Sequence, residues 1–129
     1  MSASSWHCLI ACILVGDVCS REPEVAACVF AEKNRDPRAA ELCEQAWQDT
    51  RDEAAAISGA YHALRKKDDA SLQRWARRAR PTLEGAKILH FWGQRQLERR
   101  DLDGAEATLT SVLRLRIDRD PLKAINTAY

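Results

Sequence analysis

The sequence predicts an all-α protein built from antiparallel helical hairpins, and three observations carry that expectation. Only five of the 129 residues are glycine and four are proline. Ala, Leu, Arg and Glu are plentiful, so intrinsic preferences sum toward helix along most of the chain. From residue 22 onward, stretches with helical periodicity, each about 12 to 15 residues long, alternate with short polar breaks. Two of those breaks carry explicit start signals. Asp36-Pro37 and Asp120-Pro121 each set a capping carboxylate before a proline at the first helical position, where the missing N–H costs nothing.

The length allows one domain with a continuous core. Twenty basic and 19 acidic side chains leave a net charge of +1, too small a field to argue for nucleic acid or an anionic membrane. Electrostatic recognition, if used, is therefore local.

Residues 1–21 read as a separate leading segment. Cys8 to Gly16 (CLIACILVG) is a charge-free run, as long as a signal-peptide core and far below the roughly 20 residues of a membrane span. The preceding MSASSWH has no Lys or Arg, and no clean small-x-small cleavage site follows. Two readings stand. Residues 5–19 form a leading helix whose apolar side, with Cys8, Leu9, Cys12, Ile13 and Trp6, covers the first hairpin; or the segment is an export signal. Leu9-Ile10-Ala11-Cys12 also resembles a bacterial lipoprotein box.

In the domain that follows, residues 22–129, breaks fall near Asn34–Pro37, Thr50–Asp52, Lys67–Asp69, Pro81-Thr82, Arg100-Asp101 and Asp118–Pro121. The cysteines at 8, 12, 19, 28 and 43 are odd in number, so at least one thiol stays unpaired within the chain. Their apolar helical settings predict core thiols in a reducing compartment, with a cytoplasmic location; an oxidised or ligating role is the alternative.

Self-comparison supplies the repeat. Gly59 and Gly93 are 34 residues apart, each in the middle of the first helix of a predicted pair. The segment AKILHFWGQRQLERRDLDGAEATLTSVLRLRIDRDP resembles a unit of the tetratricopeptide repeat family, with Leu89, Trp92 and Gly93 on its first helix and Ala105, Leu109 and Val112 on its second. A second unit, Ala54 to Pro81, offers Gly59, Ser71 and Trp75, with Tyr61 or His62 near the aromatic position. A first, near Glu24 to Gln48, offers Ala27, Phe30, Ala39, Cys43 and Ala46, at a spacing nearer 32. The resemblance covers residues 22 to 121 and implies a short right-handed solenoid of about three units. Residues 121–129 (PLKAINTAY) then begin a terminal helix, either a cap or the start of a further unit in a longer protein.

The resemblance further implies a non-catalytic scaffold that holds a peptide or partner helix in a groove lined by first helices. Carried over, the groove residues are Lys87, His90, Gln94, Leu97 and Glu98 in the third unit, with Glu53, Ala56, Ala60, Ala63 and Leu64 in the second. The paired Lys, Arg and Asn with which chaperone-binding members clamp a terminal carboxylate are missing, although Lys87 alone suits one acid. What remains is a small-residue, partly apolar groove suited to a helix. Solenoid ends also favour self-association.

Other chemistry is sparse in the sequence, which contains no glycine-rich phosphate loop, paired zinc motif or nucleophile elbow. No cofactor is expected. His7, His62 and His90 are far apart, while Cys8 and Cys12 lie one helical turn apart beside His7 and leave open a redox or metal module. Arg74, Arg77 and Arg78 form a basic patch opposite Leu72, Trp75, Ala76 and Ala79. That is the solvated side of an amphipathic helix, or a site for an acidic or phosphate-bearing partner. An exported or lipid-anchored envelope protein is the alternative to a cytoplasmic scaffold.

Overall fold

A computed structural model describes residues 22–115, which form six helices and no strand. The leading segment with His7, Cys8, Cys12 and Cys19, and the terminal helix expected after Pro121, lie outside the described residues. Helix α1 (Pro23–Lys33) opens on a proline and closes at Asn34, whose side-chain amide donates to the Phe30 carbonyl at 2.8 Å. Helices α2 (Ala39–Thr50), α3 (Glu53–Lys66), α4 (Asp69–Arg77), α5 (Leu83–Glu98) and α6 (Leu102–Arg114) follow. Four have side-chain N-caps: the amides of Ala54, Ser71, Gly85 and Gly104 donate to Asp52, Asp68, Thr82 and Asp101. Such caps satisfy donors that the first helical turn leaves open.

Helix α2 differs from its predicted start. Asp36 does not cap a helix beginning at Pro37; its carboxylate accepts the Arg38 amide at 2.9 Å and pairs with the Arg38 guanidinium at 3.0 Å. A tight turn results, and the helix starts at Ala39.

The turn inside each hairpin recurs in detail. Arg35, Lys67 and Arg100 all take left-handed backbone conformations (φ 54°, 54° and 60°). Each precedes an aspartate, Asp36, Asp68 or Asp101, whose amide reaches back to a carbonyl five residues earlier, on Ala31, Ala63 or Gln96, at 2.9 Å. This bond closes the end of a helix and reverses the chain. The turns are spaced by 32 and 33 residues. Counted from them, the partner of Gly93 on α3 is Ala60, and on α1 it is Cys28; Gly59 sits one position away from the equivalence that the 34-residue step predicts. A shift of one residue rotates a helix face by roughly 100°.

Pairing follows chain order. Helix α1 packs on α2, α3 on α4 and α5 on α6; α1 also packs on α3 and α3 on α5, so the first helices of the three hairpins form a continuous row. The second helices also reach forward, α2 to α3 and α4 to α5. The core between them is rich in small residues: Ala46, Ala55, Ala56, Ala60, Ala63 and Ala76, filled in by Val25, Val29, Leu72, Trp75 and Ile88. In the first hairpin Ala39, Cys43 and Ala46 are fully buried as expected, but on α1 Cys28 and Ala31 face inward while Ala27 and Phe30 are exposed.

Two close approaches fix the crossings. A Cβ on Gly93 would stand 2.8 Å from Leu109 Cδ2, and one on Gly59 would overlap the indole of Trp75. In the first hairpin the corresponding space is closed by a covalent bond, because Cys28 and Cys43 form a disulfide with their Cα atoms 4.7 Å apart. The expectation that these two cysteines are free core thiols is therefore corrected. The apolar helical setting gave no sign of pairing, since Cys28 and Cys43 are brought together only when α1 folds back on α2.

Alanine at Gly59 should gain helix propensity and still destabilise the protein by about 1–3 kcal/mol in chemical denaturation, because the added methyl overpacks against Trp75. Combined with Trp75→Leu, the Gly59→Ala penalty should largely disappear, a coupling read from a double-mutant cycle.

Candidate functional site

The row of first helices offers an accessible face. On α3 the residues with side chains reaching solvent along one stripe are Ala54, Ile57, Tyr61, Leu64 and Arg65; Tyr61 is 43% exposed and the others half-buried. Their spacing of three and four residues is that of a single helical face. On α5, Lys87, His90, Gln94, Leu97 and Glu98 are exposed, with Leu97 at 47%. Tyr61 and Phe91 meet edge to face at 5.8 Å between ring centroids, joining the two stripes. An open depression of about 560 Å³ runs across the N-terminal ends of both helices, lined by Ala54, Ile57, Lys87 and Glu84 among others.

This arrangement corrects part of the expected groove. Ala56, Ala60 and Ala63 are buried in the core and reach no partner. Glu53 lies at the rim of the depression but accepts the Thr82 hydroxyl at 2.7 Å, tying α3 to the start of α5. The cause is the 33-residue step between the second and third turns: carrying the third unit's positions back by 34 selects the neighbouring, buried face of α3. Counting back by 33 instead gives Ala54, Ile57, Tyr61, Leu64 and Arg65. Tyr61 and Ile57 were thus missed as face residues, although the Lys67-Asp68 and Arg100-Asp101 breaks in the sequence held the spacing that finds them.

Arg65 stiffens this face. Its guanidinium lies 5.2 Å above the Tyr61 ring, pairs with the Glu32 carboxylate at 3.1 Å and donates to the Glu32 main-chain carbonyl at 2.8 Å. Tyr61 is thereby steadied from α1. At the far end, Arg95 pairs with Asp69 at 2.5 Å and Glu98 at 2.9 Å, and Arg99 reaches Asp69 at 3.2 Å, fastening α5 to the start of α4.

The basic patch is largely consumed inside the molecule. Arg74 and Arg78 both pair with Glu44 of α2, at 3.2 and 2.9 Å. Arg78 is half-buried, not on the solvated side as expected; its guanidinium stacks 4.2 Å from the Trp47 ring centre and 4.9 Å from that of Trp75. Arg51 lies 4.0 Å from the Trp47 ring centre, and Trp47 meets Trp75 edge to face at 6.0 Å. Burial pushes the Glu44 carboxyl pKa upward, but hydrogen bonds from Arg78 and Gln48 and the charges of Arg78 and Arg74 outweigh it and hold the pKa below the ordinary value. Of the three patch arginines, Arg74 and Arg77 are exposed. Arg74 and Arg78 therefore clamp α2 to α4 through Glu44, while Arg77 keeps its place on the solvated side.

His62 is buried, and its Nδ1 finds no hydrogen-bond partner among the described residues. Burial, then the charges of Arg65 and Lys66, lower its pKa, with Glu32 and Asp68 opposing weakly. His90 is exposed on α5. Among the described residues no three His, Cys, Asp or Glu side chains converge to hold a metal ion, and no helix is long and apolar enough to cross a membrane. No family model, no curated protein and no solved structure matches the chain.

Replacing Glu44 with Gln should cost roughly 1–3 kcal/mol in denaturant unfolding, since the half-buried Arg78 loses its charged acceptor. His62 makes stability fall on acidification. Its folded pKa lies below the unfolded value of 6.5, so the unfolded chain takes up the proton first. The contribution is intact above that value and is lost as pH drops below it, until the folded state also protonates. The carboxylates with lowered pKa values titrate from 4.5 or below, so His62→Leu should flatten the midpoint of thermal unfolding between pH 6.5 and 5.

Proposed function

We propose that the protein is a non-catalytic binding scaffold of tetratricopeptide type, a short right-handed solenoid whose row of first helices takes up a peptide or a partner helix. The observation that carries this reading is the continuous stripe of Ala54, Ile57, Tyr61 and Leu64 on α3, extended through Phe91 to His90, Gln94 and Leu97 on α5. Aliphatic and aromatic groups alternate there with a few polar ones, a composition suited to an amphipathic helix laid in a groove. Tyr61 is the natural anchor, being a large, partly exposed aromatic steadied by Arg65 and Phe91. Two further features support the repeat reading. The hairpin turns recur with the same hydrogen bond at nearly equal steps, and each hairpin packs only on its chain neighbours among the described helices.

The ends of the row add a second contact surface. Leu102 and Leu113 of α6 are 64% and 86% exposed, large apolar side chains that another unit or another copy could cover.

Panning a library of helical peptides against the full chain tests the reading. Selected peptides should lose at least about tenfold in affinity for Tyr61→Glu or Ile57→Asp while circular dichroism stays helical. Arg77→Glu, on the opposite helices, should bind normally. Peptides that bind the Tyr61 and Ile57 variants unchanged would remove the groove assignment.

A further inference from the structure

We infer that the Cys28–Cys43 disulfide is a permanent staple of the first hairpin, formed as the chain folds in an oxidising compartment, and that the protein works there. Counted from the recurring turns, Cys28 stands on α1 where Gly93 stands on α5. Counted from the first buried residue of each second helix, Ala39 and Ala105, Cys43 stands on α2 where Leu109 stands on α6. In the third hairpin those two positions make the close crossing, glycine beneath leucine. In the first hairpin the crossing is made by the disulfide itself.

The bond sits in a core of small side chains. The buried residues of α1 are Val25, Ala26, Cys28, Val29, Ala31 and Glu32, and those of α2 are Ala39, Cys43 and Ala46. No Leu, Ile, Phe or Trp is fully buried in either helix; Val, Ala and the two cysteines fill this core, with Leu42 and Trp47 partly buried against it. A cross-link across such a core adds a constraint on the unfolded chain to the packing of the folded one. The loop it closes spans 15 residues, long enough to restrict the unfolded chain strongly.

Burial decides between staple and switch. Both cysteines have no exposed surface, so a soluble thiol cannot reach either sulfur without opening the hairpin. The bond also lies beneath the binding face, because α1 carries the Glu32 that anchors Arg65 and, through it, Tyr61. A protein so built keeps its disulfide for life, which requires a compartment where disulfides persist. The cytoplasmic expectation drawn from free thiols changes accordingly.

Formation balances as ordinary thiol–disulfide exchange with a small disulfide such as oxidised glutathione. One cysteine thiolate attacks the oxidant, forming a mixed disulfide and releasing one thiol. The second thiolate attacks the sulfur of the first, closing the Cys28–Cys43 bond and releasing the second thiol. The chain loses two protons and two electrons, and the oxidant is reduced.

Peptide mapping of the full chain, taken from its native cells directly into an alkylating quench and digested with trypsin without reduction, tests the inference. Tryptic cleavage separates the cysteines onto two peptides, residues 22–33 and 39–51. The expected result is these two peptides joined, two hydrogens lighter than their sum. Both peptides recovered alkylated, or either joined to a different cysteine, would overturn it. As a second measurement, Cys28→Ala with Cys43→Ala should melt roughly 10 °C or more below the oxidised chain, or fail to fold. A double variant that melts with the wild type would show that the bond is no staple.

Discussion

The structure depends on how closely the two helices of each hairpin cross. A close crossing needs a small side chain on one helix beneath a larger group on the other, and the three hairpins meet that need in three ways. The third sets Leu109 over Gly93, and the second lays the Trp75 indole against Gly59. The first joins Cys28 to Cys43. Because the space is filled each time, the helices sit at fixed separations and the residues flanking each crossing have fixed directions. Ala60 beside Gly59 is thereby driven into the core, and Tyr61 is turned outward.

Between hairpins the cohesion is of a different kind. The alanine-rich seam among α1, α3 and α5 brings backbones near one another but buries modest side chains. Arginine–carboxylate pairs supplement it at each joint: Glu32–Arg65 from α1 to α3, Glu44 with Arg74 and Arg78 from α2 to α4, and Asp69 with Arg95 and Arg99 from α4 to α5. Several are partly buried and share a carboxylate between two guanidiniums, which makes them more effective than isolated surface pairs. Arg78 also uses its flat guanidinium against Trp47 and Trp75, a contact that lysine would not reproduce. Two of the three arginines that look in sequence like a ligand patch, Arg74 and Arg78, join helices instead.

The same joints bear on function. The accessible stripe on α3 and α5 is held from three sides: by Arg65 reaching to α1, by Phe91 against Tyr61, and by Thr82 bridging to Glu53. A face whose aromatic anchor is already positioned loses less freedom on binding than a mobile one. The disulfide beneath α1 extends that preorganisation to the first hairpin.

The helices themselves were legible in the sequence, because their signals are local. Low glycine and proline content and the polar breaks mark where helices begin, and the caps Asp52, Asp68, Thr82 and Asp101 stand at those breaks; the start signal at Asp36-Pro37 is a tight turn instead. Their ends were less visible, since the left-handed residues that close them are Arg35, Arg51, Lys67 and Arg100 and not the glycines that usually announce such turns. The buried face of Asp69–Arg77, with Leu72, Trp75 and Ala76, could be read from its amphipathic spacing, and Ala105 and Leu109 from the small-over-large pattern. What only the tertiary structure decided was register and pairing. One residue separates the 34-residue glycine step from the 33-residue turn step, and a helix converts that single residue into a face turned from solvent into the core. Likewise, whether Cys28 and Cys43 are thiols or a disulfide depends on a distance across two helices, which composition and periodicity do not encode.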